Sequence, residues 1–207
     1  MKVELLYITP NAEKLIEEAG RTSYQSFERL TKDSYKRFIT MLIKRGHESV
    51  LEHASASFRI SGISRALTHQ LVRHRFCSFT QQSQRYVDEE NFNYIEPEDI
   101  KENGEAHEKY LHLMEDIRKY YEEFRELGIK KEDARYILPN ATESEIVLTA
   151  NFRELRHILE LRGEKAAQWE IRRMAIRILK ILKEKVPNVF QDMIIDKENQ
   201  IIIKKEI

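Results

Sequence analysis

The chain has 207 residues, and its 35 Lys and Arg are balanced by 35 Asp and Glu, so the formal net charge is zero and no global basicity argues for nucleic acid. The single cysteine, Cys77, excludes an intrachain disulfide framework and fits a reducing compartment. No apolar run reaches membrane-spanning length, and Val3-Glu4-Leu5-Leu6-Tyr7-Ile8 follows Met1-Lys2 without an export signal, which predicts a cytoplasmic protein with no membrane association.

Residues 3–8 read as a strand that Pro10 and Asn11 break. A helix from Ala12 is expected to end near Gly20, and Ser23 in the polar link after it suits a helix cap or turn. A second helix begins near Thr31, with Tyr35, Phe38, Ile39, Leu42 and Ile43 as its buried stripe and Gly46 at its C-cap. His47-Glu48-Ser49-Val50-Leu51-Glu52-His53 follows. Its histidines and glutamates raise a metal reading, but the spacing matches no zinc pattern and neither a cysteine nor a third nearby histidine completes it, so no metal is expected, with an approach of His69 or His74 in space left open by the sequence. His53 fits a buried residue holding the turn. Ser55 to Ile60 alternates as a strand does, and Gly62 is expected to turn it into a helix from about Ser64. On that helix Ile63, Leu67 and Leu71 share one face and Arg65, His69 and Arg73 another.

The helix is expected to run into the densest functional stretch of the chain, residues 73–86. It holds three arginines, one histidine, two serines and three glutamines in fourteen residues. Guanidinium forks suit phosphate and carboxylate, and the hydroxyls and amides can position the rest of a bound molecule. Cations at a helix C-terminus also meet the helix dipole favourably, which accounts for Arg73 and Arg75 without a ligand.

Residues 87–99, with Pro97, read as a loop. A long helix spans 105–127, with Tyr110, Leu113, Met114, Ile117, Tyr121, Phe124 and Leu127 at helical spacing and Gly128 as its stop. A short helix at 131–137 ends before Pro139, and 145–152 is strand-like. Residues 154–161 are helical, with Gly163 as a breaker. The last helix runs from about Ala166 to Lys185 with Ile171, Met174, Ala175, Ile178 and Leu182 inward, and Ile201-Ile202-Ile203 suits an edge strand. The order predicts a mixed α/β (α+β) chain, a single compact domain over 1–207 with a central sheet flanked by helices.

Arg73-His74-Arg75, seven residues, then Ser83 resembles the signature of the flavin-dependent thymidylate synthases. Gly46-His47-Glu48-Ser49 with Glu52-His53 resembles the family's upstream flavin segment, and Ala134-Arg135-Tyr136-Ile137-Leu138-Pro139 its Ala-Arg-x-x-Leu-Pro element. Asn151-Phe152-Arg153, Leu161-Arg162 and Gln168-Trp169-Glu170 resemble its C-terminal block. These pieces stand in the family's order across most of the chain.

The resemblance implies reductive methylation of dUMP to dTMP, with methylenetetrahydrofolate as carbon donor, FAD as hydride carrier and NADPH as reductant. It implies dUMP contacts from Gln70, Arg73, Gln81, Gln82, Ser83, Gln84, Arg85, Arg135 and Arg162. It implies FAD contacts from Ser23, His47, Ser49, Glu52, Arg73, His74, Arg75, Asn151, Arg153 and His157. Arg162 is the implied catalytic residue, polarising the uracil ring, and no enzyme nucleophile is needed. The resemblance also implies a homotetramer with sites shared between subunits. Thr80, Gln81, His157 and Ala166 depart from residues common in the family. Two rivals stand beside this reading: a nucleic-acid module using Arg65, His69, Arg73 and Arg75, and a flavin- and nucleotide-binding relative that has lost catalysis.

Overall fold

A computed structural model of the chain describes residues 1–206; Ile207, the last residue of the expected domain, lies outside them. Strands β1 (Lys2–Ile8), β2 (Ser55–Ser64), β3 (Ser78–Gln81) and β4 (Glu143–Asn151) form a four-stranded sheet in the order β1-β2-β4-β3. The helices in chain order are α1 (Ala12–Thr22), α2 (Ser34–Lys44), α3 (Arg65–Leu71), α4 (Glu98–Glu102), α5 (Gly104–Glu126), α6 (Lys131–Ala134), α7 (Phe152–Gly163) and α8 (Trp169–Lys185). After them, β5 (Met193–Asp196) and β6 (Ile201–Lys204) pair antiparallel. The mixed α+β class is as the sequence predicts.

The chain divides into two compact units: residues 1–60, 71–79 and 147 onward, and residues 61–70 with 80–146. The division falls within β2, β3 and β4.

In the first unit β2 alternates as its sequence does: Ala56, Phe58 and Ile60 are wholly buried, and Ser57 between them meets Thr149 of β4 through hydroxyls 2.8 Å apart. Helix α7 packs on α8, on β6 and on a 3₁₀ segment at Glu48–His53, and α1 packs on α2. The predicted inward face of α8, Ile171, Met174, Ala175, Ile178 and Leu182, is fully buried. Burying each of its larger side chains contributes about 1.5–3 kcal/mol. Helix α8 starts at Trp169 instead of Ala166 because Gln168 caps it, its Oε1 accepting from the N–H groups of Glu170 and Ile171 at 2.9 and 3.2 Å.

Two glycines expected to end helices lie inside them and serve close packing instead. A Cβ on Gly20 would stand 2.6 Å from the Phe38 ring of α2, and one on Gly163 would stand 2.6 Å from Ile202 of β6. The most deeply buried charge is Arg156 of α7. Its guanidinium donates to both Asp192 oxygens at 2.8 and 2.7 Å and to the Val189 carbonyl at 2.6 Å. It also reaches Glu48 at 3.2 Å, which ties the 3₁₀ segment to α7.

In the second unit α5 buries a narrower stripe than its periodicity suggests. Met114 and Tyr121 are buried, whereas Leu113 and Leu127 are 53% and 77% exposed. Arg118 of α5 lies over the Phe92 and Tyr94 rings at 5.4 and 5.2 Å and donates to the Phe92 carbonyl at 2.7 Å, so the segment expected to be a plain loop is anchored to this helix. The last two residues of that segment, Glu98 and Asp99, open the short α4.

Candidate active site

Helix α3 carries Arg65 and His69 as expected but ends at Leu71, before Arg73 and Arg75. Residues 73–77 form successive turns, with the His74 N–H donating to the Leu71 carbonyl at 3.1 Å and the Cys77 N–H to the His74 carbonyl at 3.3 Å. Arg73 and Arg75 are exposed in these turns, off the helix whose dipole could have explained them. The second half of this site comes from the start of α7. Asn151 caps that helix, its Oδ1 accepting from the Glu154 N–H at 2.9 Å, and the following turns set Arg153, Glu154, His157 and Arg162 along it.

These residues surround one cavity of about 980 Å³ that lies wholly in the first unit. It gathers eight residues that the resemblance pointed to: Glu52, Arg73, His74, Arg75, Asn151, Arg153, His157 and Arg162. It adds Glu48, Phe76, Glu154, Glu160 and Leu161, which sequence reasoning did not assign. Ser23, His47 and Ser49 are exposed and are not among the lining residues, and His53, expected to be buried, is exposed as well. The 3₁₀ turn at Glu48–His53 spends its inward position on Leu51, leaving its histidines outward.

At the back of the cavity is a three-residue chain of hydrogen bonds. His74 is 4% exposed; its Nε2 lies 3.0 Å from the Arg162 Nε and its Nδ1 lies 3.3 Å from Glu154 Oε1. Because Arg162 has only N–H groups to give, His74 Nε2 is the acceptor and the ring proton sits on Nδ1. Burial first, then the positive charge of Arg162, then His157, lower the His74 pKa to about 4, so the ring is neutral near pH 7. Burial raises the Glu154 carboxyl, with His157 working in the opposite direction. The His157 ring meets His74 edge-on at 5.6 Å. On the cavity rim Arg153 pairs with Glu52 at 2.6 Å.

Donor atoms of His74, Glu154 and His157 lie within 4.8 Å of one another, a spacing a metal ion could use. The Arg162 guanidinium on His74 Nε2 works against a second cation there. Cys77 is inert as a nucleophile: burial, then Glu154, push its thiol up to about 12.

The residues implied for the nucleotide, apart from Arg73 and Arg162, fall in the second unit. Gln81 donates to Thr68 and Ser144, both at 3.1 Å, so its amide braces the strand. Gln82 donates to Glu89 at 3.4 Å, Ser83 Oγ accepts from the Arg85 N–H at 3.3 Å, and Gln70 donates to the Ala66 carbonyl at 3.4 Å. Gln84 is buried with no hydrogen-bond partner for its Nε2. Arg85 pairs with Glu132 at 3.0 Å, and Arg135 donates to the Glu132 carbonyl at 3.0 Å. Arg65 was read only as part of a cationic helix face. It is half-buried, and burial and then Arg135 depress its pKa. Two guanidiniums that act on one another's charge within the same unit suit an anion.

A family model described as thymidylate synthase complementing protein matches residues 4–188. The chain belongs to the flavin-dependent thymidylate synthase family. That family is one of thymidylate synthase enzymes. The flavin-dependent thymidylate synthase of Pyrococcus furiosus is 46% identical over 169 residues, which cover 80% of this chain and 69% of that one. The Clostridium tetani flavin-dependent thymidylate synthase is 39% identical, covering 92% of this chain and 86% of its own. Among solved structures, thymidylate synthase X from Helicobacter pylori, crystallised with FAD and dUMP, superposes with a TM-score of 0.78 at 25% identity, covering 93% of this chain and 98% of that one. Family membership accounts for the ordered motifs, and no helix among the described residues is long and apolar enough to cross a membrane.

Proposed function

We propose that the chain converts dUMP to dTMP by reductive methylation, with methylenetetrahydrofolate as carbon donor and NADPH as reductant. The observation that carries the reading is the first-unit cavity, in which Arg73, Arg75, Arg153 and Arg162 surround Asn151 and two histidines. That donor set fits FAD: guanidiniums suit its diphosphate, and the amide, imidazoles and the exposed Phe76 suit its rings. FAD, when bound, supplies the hydride chemistry.

The chain's own residues then bind and orient. Arg73, His74, Arg75, Asn151, Arg153, His157 and Glu52 hold the cofactor side, with Ser23, His47 and Ser49 as further contacts implied by family matching. Gln70, Gln81, Gln82, Ser83, Gln84, Arg85 and Arg135 hold the nucleotide, and Arg65 is added to them by its position against Arg135. Arg162 presents fixed positive charge to the uracil ring, stabilising the negative charge that develops as C5 becomes a carbon nucleophile. Cys77, its thiol held protonated, takes no part, and a reducing, cytoplasmic setting suits it. The exposed Tyr24, Phe76, Tyr86 and Tyr136, each 69% exposed or more, support a homotetramer that would cover them. In that assembly residues 1–207 act as one catalytic domain.

The deciding measurement is the visible spectrum of the purified protein, before and after NADPH and dUMP are added without oxygen. A flavin spectrum that bleaches, followed by dTMP formation once methylenetetrahydrofolate is present, is the expected result. A colourless protein that takes up no added FAD would overturn the proposal.

A further inference from the structure

Glu154 occupies the third position of α7, where a glutamate commonly folds back on the residue that caps the helix. Here it does not. Asn151 caps the Glu154 N–H, and the Glu154 carboxylate, 8% exposed, turns to His74 Nδ1 at 3.3 Å, with the Cys77 thiol 4.0 Å away. A buried carboxylate aimed at a buried imidazole, which in turn faces a guanidinium at 3.0 Å, has a defined proton arrangement. Glu154 can only accept while ionised, so Nδ1 carries the hydrogen. Nε2 is then a lone pair, and the Arg162 Nε–H has an acceptor. The opposite tautomer would set two N–H donors against each other and leave the carboxylate facing a lone pair, with both mismatches out of water.

We infer that Glu154 is a positioning residue: by fixing the proton of His74 on Nδ1, it sets the plane and heading of the Arg162 guanidinium in the cavity. An arginine side chain has four freely turning bonds, and anchoring Nε restricts the last of them, which decides where the flat fork points. His157, edge-on to His74, closes the other side of the ring. The inference rests on the reading of Arg162 given above, and the experiment separates the two.

The flavin-loaded protein is labelled with ¹⁵N-histidine, and His74 is assigned by the signals lost in His74→Gln. Wild type, Glu154→Ala and Glu154→Gln are compared by imidazole ¹⁵N shifts, bound flavin, and kcat and KM for dUMP. In the wild type His74 should carry hydrogen on Nδ1 and a bare Nε2. Glu154→Ala should lose that preference and lower kcat about tenfold, with KM for dUMP and flavin content within about twofold. Glu154→Gln, whose amide oxygen still accepts from Nδ1–H, should keep the tautomer and most of kcat, which a general packing defect would not predict. A wild-type His74 protonated on Nε2, or an unchanged tautomer in Glu154→Ala, overturns the inference. So does a changed tautomer with unchanged kcat when Arg162→Ala is inactive. If Arg162→Ala itself turns over normally, the Arg162 reading fails, while the nitrogen shifts still decide whether Glu154 sets the ring.

Discussion

The cavity of the first unit, proposed for the cofactor, and the polar cluster of the second, proposed for the nucleotide, are built differently. In the first, Glu154, His74 and Arg162 are joined in line, two of them under 10% exposed, and Arg156 locks the same helix from behind against Asp192. In the second, the cations are held by groups a ligand could displace. Arg85 rests on Glu132 in a pair whose side chains are 53% and 40% exposed, and the buried Gln84 Nε2 has no hydrogen-bond partner. The back of the first region is organised before anything binds, because His74, Glu154 and Arg156 are partnered inside the fold, whereas its rim pair, Arg153 with Glu52, is exposed. The second has an exposed ion pair worth only about 0–1 kcal/mol, which an incoming phosphate can replace at small cost. Substitutions in the first should therefore disturb stability and rate together, and those in the second should show mainly in affinity.

The strongest test of that contrast is Arg156→Ala, which leaves Asp192 buried without its partner. Denaturant unfolding should show a loss of about 3–5 kcal/mol. A loss within about 0.5 kcal/mol would mean the first unit is no more rigidly built than the second.

Next is Arg162→Ala. Turnover should fall by roughly 10²–10³-fold with flavin still bound, the loss usual when a fixed donor to developing negative charge is removed. Normal turnover in that variant would sink the electrophilic role.

A third test uses pH. His74 is lowered from 6.5 to about 4 in the folded chain by burial, then Arg162 and His157. Its neutral form is thus the one the fold prefers. The contribution is complete above the unfolded value, and it diminishes as pH falls from about 6.5 to about 4, where the unfolded chain binds the proton first. Stability should decline over that window, and His74→Gln should flatten the decline. An identical slope in the variant would assign the effect elsewhere.

The smallest effects belong to the second unit. Arg85→Ala should weaken dUMP binding by about tenfold, and by less at high salt, with unfolding changed by under about 0.5 kcal/mol. Ser83→Ala should weaken it by a few-fold, about 1 kcal/mol or less. Isothermal titration reads both. Loss of chemistry with intact dUMP affinity in Ser83→Ala would point to a nucleophilic serine instead.

Much of this was legible without coordinates where a local rule decides the outcome. The period of 3.6 marked the inward face of α8, alternation marked β2, and Gly46, at φ 68°, ends the turn after α2 as a left-handed cap. The ordered motifs identified the family, and eight of the residues implied by them do meet around one cavity. What could not be read depends on partners distant in the chain. Gly20 and Gly163 look like helix stops, and only Phe38 and Ile202 reveal why no side chain fits there. That Thr68 and Ser144 brace the Gln81 amide is likewise visible only once the chain is folded.

The sequence alone determined the fold class, the family and the chemical types at the site, because periodicity and motif order are properties of residues close in the chain. The tertiary structure alone decided that Glu154 faces His74 and that Arg156 faces Asp192. It also decided that Arg73 and Arg75 lie in turns past the end of α3. Glutamates and arginines are abundant in a chain with 34% charged residues, and nothing local distinguishes a solvated one from one withdrawn from water. Burial does, and burial is set by elements that meet only when the chain is folded.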